Sequence, residues 1–151
     1  MIQVLPRPIF ADRRDAGRRL AVALRSEPGE ALVLGLARGG VLVAAEVARA
    51  LSAPLDVLVV RKLGAPQSEE LAIGAVTADG GLFLMDEIIR WLEIPPAYVE
   101  REVEKQRELA ARREALYRRG RPGPQLAGRH VILVDDGMAT GATMVAAARS
   151  R

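Results

Sequence analysis

The most informative run of the chain is Val131-Ile132-Leu133-Val134-Asp135-Asp136-Gly137-Met138-Ala139-Thr140-Gly141-Ala142-Thr143, which leads into a helical pattern from Met144 to Arg149. Its parts follow one another as a buried strand, an acidic pair, a loop rich in glycine and threonine, and a helix. Ligands of open α/β sheets bind at the carboxyl ends of strands, so we expect Asp135 and Asp136 to lie beside a ligand. The run therefore predicts an α/β fold with a binding site at this strand end.

The loop from Gly137 to Thr143 suits a phosphate group. Backbone N–H groups at a helix start are unpaired and lie at the positive end of the helix dipole. Glycines let the backbone approach a ligand closely, and Thr140 and Thr143 add hydroxyl donors. The two carboxylates would repel a phosphate and instead suit sugar hydroxyls or a hydrated cation. We therefore predict a sugar phosphate accompanied by Mg²⁺.

Two plainer interpretations of this run remain open. An acidic pair before a helix is also ordinary strand-to-helix punctuation, and Thr140 or Thr143 can be an ordinary helix cap. Receiver domains of response regulators also place two aspartates after an apolar strand, but there most of the domain follows the pair. A nucleotide P-loop needs Gly, four residues, Gly-Lys and then Ser or Thr, and the sequence has no such string.

The first half of the chain alternates helical and strand patterns. A helix should begin after the capping residue Asp12 and end at Pro28 and Gly29. Residues 31–36 and 55–60 are short apolar runs typical of buried strands, and residues 41–51 form a helical pattern between them. Such a strand-helix-strand unit indicates a doubly wound, mostly parallel sheet with helices on both faces.

The middle of the chain is more polar. Residues 64–70 carry turn residues and predict a mobile loop. Residues 71–77 and 82–85 flank Asp79-Gly80-Gly81, which predicts a hairpin. A short helix is expected over 86–94, and Pro95-Pro96 should start a longer helix, charged on most faces, that runs to about Arg119.

Composition narrows the class of protein. A chain of 151 residues that is half apolar predicts one domain, residues 1–151, with an N-terminal extension over 1–9. It contains no run of about 20 apolar residues and no signal-like start, so we expect a cytoplasmic protein without a membrane span. The absence of cysteine excludes disulfides, thiolate metal sites and cysteine nucleophiles. We assign no role to the single histidine, His130.

The sequence resembles one known protein family in several motifs. Residues 131–143 resemble the signature of type I phosphoribosyltransferases: four apolar residues, two acids, and a closing Thr-Gly-x-Thr. Residues 10–17, 34–41 and 60–66, with Ala72-Ile73-Gly74-Ala75, are similar to a bacterial branch of this family whose acceptor substrate is unsettled. The chain is identified as a member on these motifs, which extend over nearly its whole length.

The resemblance implies roles for the matched positions. Asp135 and Asp136 would bind the ribose hydroxyls of phosphoribosyl pyrophosphate, and Gly137-Met138-Ala139-Thr140-Gly141-Ala142-Thr143 its 5-phosphate. Ala37-Arg38-Gly39-Gly40 would bind the pyrophosphate. Lys62 would lie near the pyrophosphate, although an ordinary surface lysine is an equal alternative, and residues 64–70 would close over the reacting centre.

The resemblance also implies a reaction, in which a nitrogenous base displaces pyrophosphate with the help of Mg²⁺. The catalytic groups would be Asp135, Asp136, Arg38 and Lys62, in a homodimeric enzyme of nucleotide metabolism. Members that act on 6-oxopurines carry an aspartate where this chain has Ala139, which argues against hypoxanthine or guanine. Family members continue beyond the position where this sequence ends, so we expect C-terminal strands to be missing.

A second class of function remains open. A regulator that senses phosphoribosyl pyrophosphate on the same fold could use the arginines of residues 101–121 on nucleic acid. Glutamates interleave with those arginines, so the field of this segment is mixed. We therefore expect no nucleic-acid partner.

Overall fold

The computed structural model describes residues 9–26 and 30–150. The expected helix end at Pro28 and Gly29, and residues 1–8 of the expected extension, lie outside this part of the chain. The elements, in order, are α1 (Arg13–Ala23), β1 (Leu32–Leu36), α2 (Gly39–Leu51), β2 (Leu55–Leu58), β3 (Val60–Ala65), β4 (Ser68–Thr77), β5 (Leu82–Leu84), α3 (Asp86–Trp91), α4 (Pro96–Arg118), β6 (Val131–Val134) and α5 (Ala142–Ala148).

Three strands form the parallel sheet that the sequence predicted, in the order β2-β1-β6. β1 pairs with β2 from Val33 opposite Leu55, and with β6 from Leu32 opposite Val131. The strand nearest in sequence to β6 is therefore not its neighbour in the sheet. The carboxyl ends of β1 and β6 come to the same edge, which decides where the ligand loops meet.

Helices cover both faces of this sheet, as predicted. Val33 in β1 belongs to a buried cluster with residues of α1 and α2, including Ala21 and Val47. Leu34, on the opposite face, packs in a second cluster with Ala147 of α5. Because successive side chains of a strand point to opposite faces, β1 is apolar throughout and is buried on both.

The second sheet is antiparallel, and it corrects two expectations. The run over 55–60 is not one strand, because β2 ends at Leu58 and β3 begins at Val60. Residues 64–70, expected as an irregular loop, form the end of a hairpin in which β3 pairs with β4 across the turn at Pro66-Gln67. The register shifts beside Gly64, which accounts for the weak alternation of this stretch. The expected hairpin at Asp79-Gly80-Gly81 is confirmed as the β4–β5 pair.

The long helix α4 holds the junction between the two sheets. Its buried Glu114 accepts a hydrogen bond of 3.0 Å from the backbone N–H of Val59, the residue between β2 and β3. Arg118, one turn later, pairs with Glu114 at 2.7 Å and with Asp56 of β2 at 3.1 Å. A buried N–H group needs a hydrogen-bond acceptor, and Glu114 of α4 supplies it for Val59, where the chain leaves the parallel sheet.

The antiparallel sheet is packed on both sides as well. Leu63 and Ile73 form a core with Ile94, which precedes α4, and with Val99 near the start of that helix. On the other side, Ala75 and Phe83 contact Ala142 and Ala146 of α5. The helix that follows the acidic loop is thus held by both sheets. No helix among residues 9–26 and 30–150 is long and apolar enough to cross a membrane.

Candidate functional site

The candidate site lies where the adjacent strands β1 and β6 end. Gly35 of β1 is paired with Val134, the last residue of β6, in parallel register. The segment 37–40 leaves β1 and the acidic pair leaves β6 at this same edge. The structure therefore brings the segment predicted to bind the pyrophosphate to the acidic pair predicted to bind the ribose.

The glycine pair at the start of α2 makes this approach possible. A Cβ atom on Gly39 would overlap the carboxylate of Asp136, and a Cβ atom on Gly40 would lie 2.7 Å from the carbonyl oxygen of Val134. Side chains at either position would push the two segments apart. Gly39 and Gly40 were expected in the loop but form the first two residues of α2, so their backbone N–H groups belong to the helix start.

The two carboxylates have different environments. Asp135 is half-buried, and its Oδ1 accepts a hydrogen bond of 2.8 Å from the backbone N–H of Asp136. Burial raises the pKa of Asp135 above its ordinary value, and the neighbouring carboxylate raises it further. The pKa of Asp136 is lowered, chiefly by hydrogen bonds from Arg13. Asp136 is therefore the readily ionised member of the pair.

Arg13 is the residue of this site that sequence reasoning missed. Its Nε and Nη2 atoms both donate to Oδ2 of Asp136, at 2.9 and 2.7 Å. The two residues are 123 positions apart, so no local pattern could join them. The only sequence signal was that Arg13 falls within the first of the segments that resemble the bacterial branch.

The start of α1 fixes where Arg13 can reach. Asp12 caps the helix by accepting a 2.7 Å hydrogen bond from the N–H of Asp15, and Asp15 accepts one of 3.0 Å from the N–H of Ala11. This reciprocal arrangement resembles a capping box and confirms the predicted cap. Gly17 lets α1 lie directly on α2, since its Cβ atom would stand 2.6 Å from the carbonyl oxygen of Val43. Arg13 is thus presented by a firmly packed helix.

The loop after the acidic pair surrounds a small cavity. Asp135, Met144 and residues between them line a volume of about 60 Å³, into which the loop brings glycine backbone and threonine side chains. Gly141 takes a φ of +83°, which glycine adopts readily, and it caps α5. The hydroxyl of Thr140 accepts a hydrogen bond of 3.4 Å from the N–H of Ala142. The structure begins α5 at Ala142, two residues earlier than expected, so Ala142 and Thr143 lie in its first turn.

The segment 37–40, predicted to bind pyrophosphate, contacts β2 through Ala37 and borders a cavity at Arg38. Ala37 donates its N–H to Leu58 at 3.0 Å, which ties the segment to β2, and the Ala37-Arg38 peptide bond is cis. The exposed Arg38 stands at the start of α2. A larger cavity, of about 390 Å³, lies beside Arg38 against Leu55 and Tyr117, and its lining includes neither aspartate of the acidic pair. We place the site at the acidic pair, because that is where the polar groups converge.

Lys62 lies apart from these residues. It is on β3, and its ammonium group pairs with Glu70 of β4 at 3.2 Å. Within residues 9–26 and 30–150, no hydrogen bond or ion pair joins Lys62 to the acidic pair or to Arg38. It lines a separate cavity of about 230 Å³ together with Arg61 and Glu102. The structure thus brings Gly39 and Gly40 to the acidic pair and its loop. The side chain of Arg38 borders the larger cavity instead, and Lys62 lies apart.

The carboxylates of the site can be compared with the ligands that Mg²⁺ requires. Among the described residues, no three or more histidine and carboxylate side chains group closely enough to hold a metal ion by themselves. Mg²⁺ commonly keeps several waters and binds through one or two carboxylates together with phosphates of the substrate. The half-buried Asp135 and its neighbour Asp136 supply two hard oxygen ligands of that kind. The residues present therefore fit a cation that arrives with the ligand.

Comparisons with known proteins identify the family of this chain. Residues 11–150 match the family model described as "Phosphoribosyl transferase domain". Proteins from two strains of Mycobacterium tuberculosis, each named "Putative phosphoribosyl transferase", are 51% identical over 140 residues. That alignment covers 92% of this chain and 32% of each relative, so the chain spans about a third of their length.

A solved structure supports the same assignment. The crystal structure of the protein TT1426 from Thermus thermophilus is similar with a TM-score of 0.73 and 50% sequence identity, over 93% of this chain and 67% of that one. The motif over residues 131–143, the fold and these relatives all agree. The chain belongs to the type I phosphoribosyltransferase family.

Proposed function

We propose that this domain binds phosphoribosyl pyrophosphate with Mg²⁺ and transfers its phosphoribosyl group to a nitrogenous base. The observation that carries the proposal is the contact between Gly39 and the Asp136 carboxylate. It joins a helix start suited to pyrophosphate to an acidic pair suited to ribose. A ligand with a phosphate at each end of a sugar would use both segments at once.

Each end of the ligand has its own partner. The backbone of residues 137–143, with the hydroxyls of Thr140 and Thr143, would hold the 5-phosphate. Asp135 and Asp136 would accept hydrogen bonds from the ribose hydroxyls. Arg38, with the N–H groups at the start of α2, would hold the pyrophosphate, because a guanidinium pairs well with phosphate oxygens. Asp135 and Asp136 are also the residues that would hold Mg²⁺.

In the proposed reaction, the bond between the anomeric carbon and the pyrophosphate oxygen breaks, and its electron pair leaves with the pyrophosphate. A ring nitrogen of the base bonds to that carbon and releases its proton to water or to the departing pyrophosphate. The sugar passes through an oxocarbenium-like state, as in glycoside hydrolysis. Arg38 stabilises the negative charge of the departing pyrophosphate, and the acidic pair stabilises the positive charge on the ribose. Bound Mg²⁺ would supply further neutralisation of the phosphate oxygens.

Lys62 remains a proposed contact of the pyrophosphate. Its pairing with the exposed Glu70 is weak enough to exchange for a phosphate, since surface ion pairs contribute about 0–1 kcal/mol. Reaching the ligand would require the β3–β4 hairpin to bend, which is the closing motion expected for residues 64–70. We also propose that the working protein is a homodimer.

The alternative, a regulator that binds nucleic acid, gains no support from α4. Arg107 pairs with Glu104 at 3.4 Å and Arg112 with Glu108 at 3.7 Å. With the pairs of Lys105 and Arg118, they offset four of the six basic side chains of α4, which weakens any positive stripe along the helix. We therefore favour the transferase.

The test is calorimetric titration of phosphoribosyl pyrophosphate, with Mg²⁺, into the wild-type chain and into an Asp135→Asn, Asp136→Asn variant. A matched control replaces two exposed acids of α4, Glu104→Gln and Glu108→Gln, which removes the same charge away from the site. Binding by the wild type and the control, lost in the site variant, supports the proposal. Equal binding by all three proteins would contradict it.

If the ligand binds, release of pyrophosphate with a panel of purine and pyrimidine bases tests the transfer step. Ala139 occupies the position where members that act on 6-oxopurines carry an aspartate, so we expect no turnover with hypoxanthine or guanine. Pyrophosphate release that depends on one of the other bases would support the transferase. Release with none, from a chain that binds the ligand, would favour a sensor.

A further inference from the structure

Building on the proposed function, we propose that Arg13 is a positioning residue of the phosphoribosyl site, which fixes the Asp136 carboxylate and offsets its charge so that a polyanionic ligand can bind beside it. Arg13 donates two hydrogen bonds to the same carboxylate oxygen, at 2.9 and 2.7 Å. Gly39 lies against that carboxylate on the α2 side. The carboxylate is therefore held between the start of α1 and the start of α2.

Arg13 restricts the orientation of the Asp136 side chain. Exposed aspartates ordinarily exchange among rotamers, and an ordered one must be held by its neighbours. Two donors of one planar guanidinium restrict the Asp136 side chain more than a single contact would. The packing of α1 on α2 through Gly17 and the cap at Asp12 hold the backbone of Arg13. The acceptor for the ribose is thus set before the ligand arrives.

Arg13 also offsets the negative charge of the site. Phosphoribosyl pyrophosphate carries several negative charges, and two adjacent carboxylates would repel it. Arg13 places a positive charge at 2.7 Å from one of them. The acidic pair can therefore remain in place at less cost to anion binding.

Fold stability alone does not account for this pairing, because the Arg13 side chain is 55% exposed and that of Asp136 is 30% exposed. Ion pairs so open to solvent contribute little to folding. Arg14 offers a comparison, because it is exposed at the next position of α1 and makes no hydrogen bond or ion pair among the described residues. A difference between Arg13 and Arg14 would thus report on the site.

The experiment measures the affinity for phosphoribosyl pyrophosphate with Mg²⁺, by calorimetry at pH 8, for the wild type and for Arg13→Gln, Arg13→Lys and Arg14→Gln. We expect Arg13→Gln to weaken binding about tenfold, in line with the loss of a charged hydrogen bond. Arg13→Lys should restore part of the affinity, and Arg14→Gln should match the wild type.

Two outcomes would overturn the inference. Affinity of Arg13→Gln equal to that of the wild type would show that Arg13 does not act on the site, while the proposed function would stand. Equal losses in Arg13→Gln and Arg14→Gln would reduce the effect to general charge. Failure of the wild type to bind would instead remove the proposed function. Thermal unfolding of each variant verifies that the chain is folded.

Discussion

Gly39 lies against the Asp136 carboxylate so closely that a methyl group on Gly39 would overlap Oδ2. This contact spans the edge of the parallel sheet from the strand end of β1 to that of β6. Since α2 cannot retreat without losing its packing on β1, where Gly35 meets Val41 and Ala44, the start of α2 is held against the acidic pair. The site depends on the absence of a side chain as much as on the groups that are present.

We predict that Gly39→Ala lowers the affinity for phosphoribosyl pyrophosphate by about tenfold to a hundredfold, because the added methyl group displaces Asp136 by a distance of ångström scale. Calorimetry provides the measurement. Gly123→Ala is the control for a methyl group added away from the acidic pair, since the nearest atom to its Cβ atom would be Nη1 of Arg118, at 3.3 Å. An unchanged affinity in Gly39→Ala would show that the close contact has no bearing on binding.

We predict that Asp135→Asn stabilises the fold at neutral pH while it weakens ligand binding. The folded pKa of Asp135 is raised, so the ionised form is disfavoured by folding, and stability falls as the pH rises from 3.8 through the folded pKa. Asparagine keeps the acceptor for the Asp136 N–H and removes the charge. The gain should stay below about 1 kcal/mol at pH 7, because solvent still screens this group, and it should vanish below pH 3.8.

Thermal unfolding at pH 7 and at pH 3 would measure this difference. A melting temperature that drops at pH 7 would contradict the assignment of Asp135 as an acid whose charge opposes folding. Such a trade between stability and binding is typical of functional sites.

We predict that Glu114→Ala destabilises the fold by about 2–4 kcal/mol. It would leave the buried N–H of Val59 without its partner and would remove one of the two carboxylates that pair with Arg118. Urea unfolding gives the measurement. Glu108→Ala, on the same helix with a side chain 61% exposed, should change stability by less than about 0.5 kcal/mol. Equal effects of the two substitutions would refute the bracing role of Glu114.

Local chemistry explains which parts of the fold could be predicted from the sequence. The cap at Asp12, the hairpin at Asp79-Gly80-Gly81 and the acidic run with its following helix are all determined by residues close together in sequence. The doubly wound order followed from apolar runs separated by helical patterns, and the parallel sheet confirms it. The acidic pair and the glycine pair were likewise brought together at one sheet edge, as strand-end geometry requires.

The remaining features depend on distant partners. The interruption between β2 and β3 at Val59 falls inside a continuous apolar run, and its N–H is satisfied by Glu114, 55 residues away. The pairing of Arg13 with Asp136 is more distant still. Residues 64–70 were expected to lack regular structure because of their polar and turn-forming side chains, yet β3 and β4 pair through their backbones, which composition does not reveal. The mobility of this hairpin is still a prediction.

Residues 37–40 and 137–143 are proposed to hold the two ends of one ligand. Phosphorus NMR of phosphoribosyl pyrophosphate with Mg²⁺ distinguishes these ends, since the 5-phosphate and the pyrophosphate give separate signals. With the wild-type chain we predict that all signals broaden or shift. With Arg38→Ala the pyrophosphate signals should respond much less, while the 5-phosphate signal still responds through residues 137–143. Signals that are unaffected by the wild-type chain, or that respond equally with Arg38→Ala, would contradict the account.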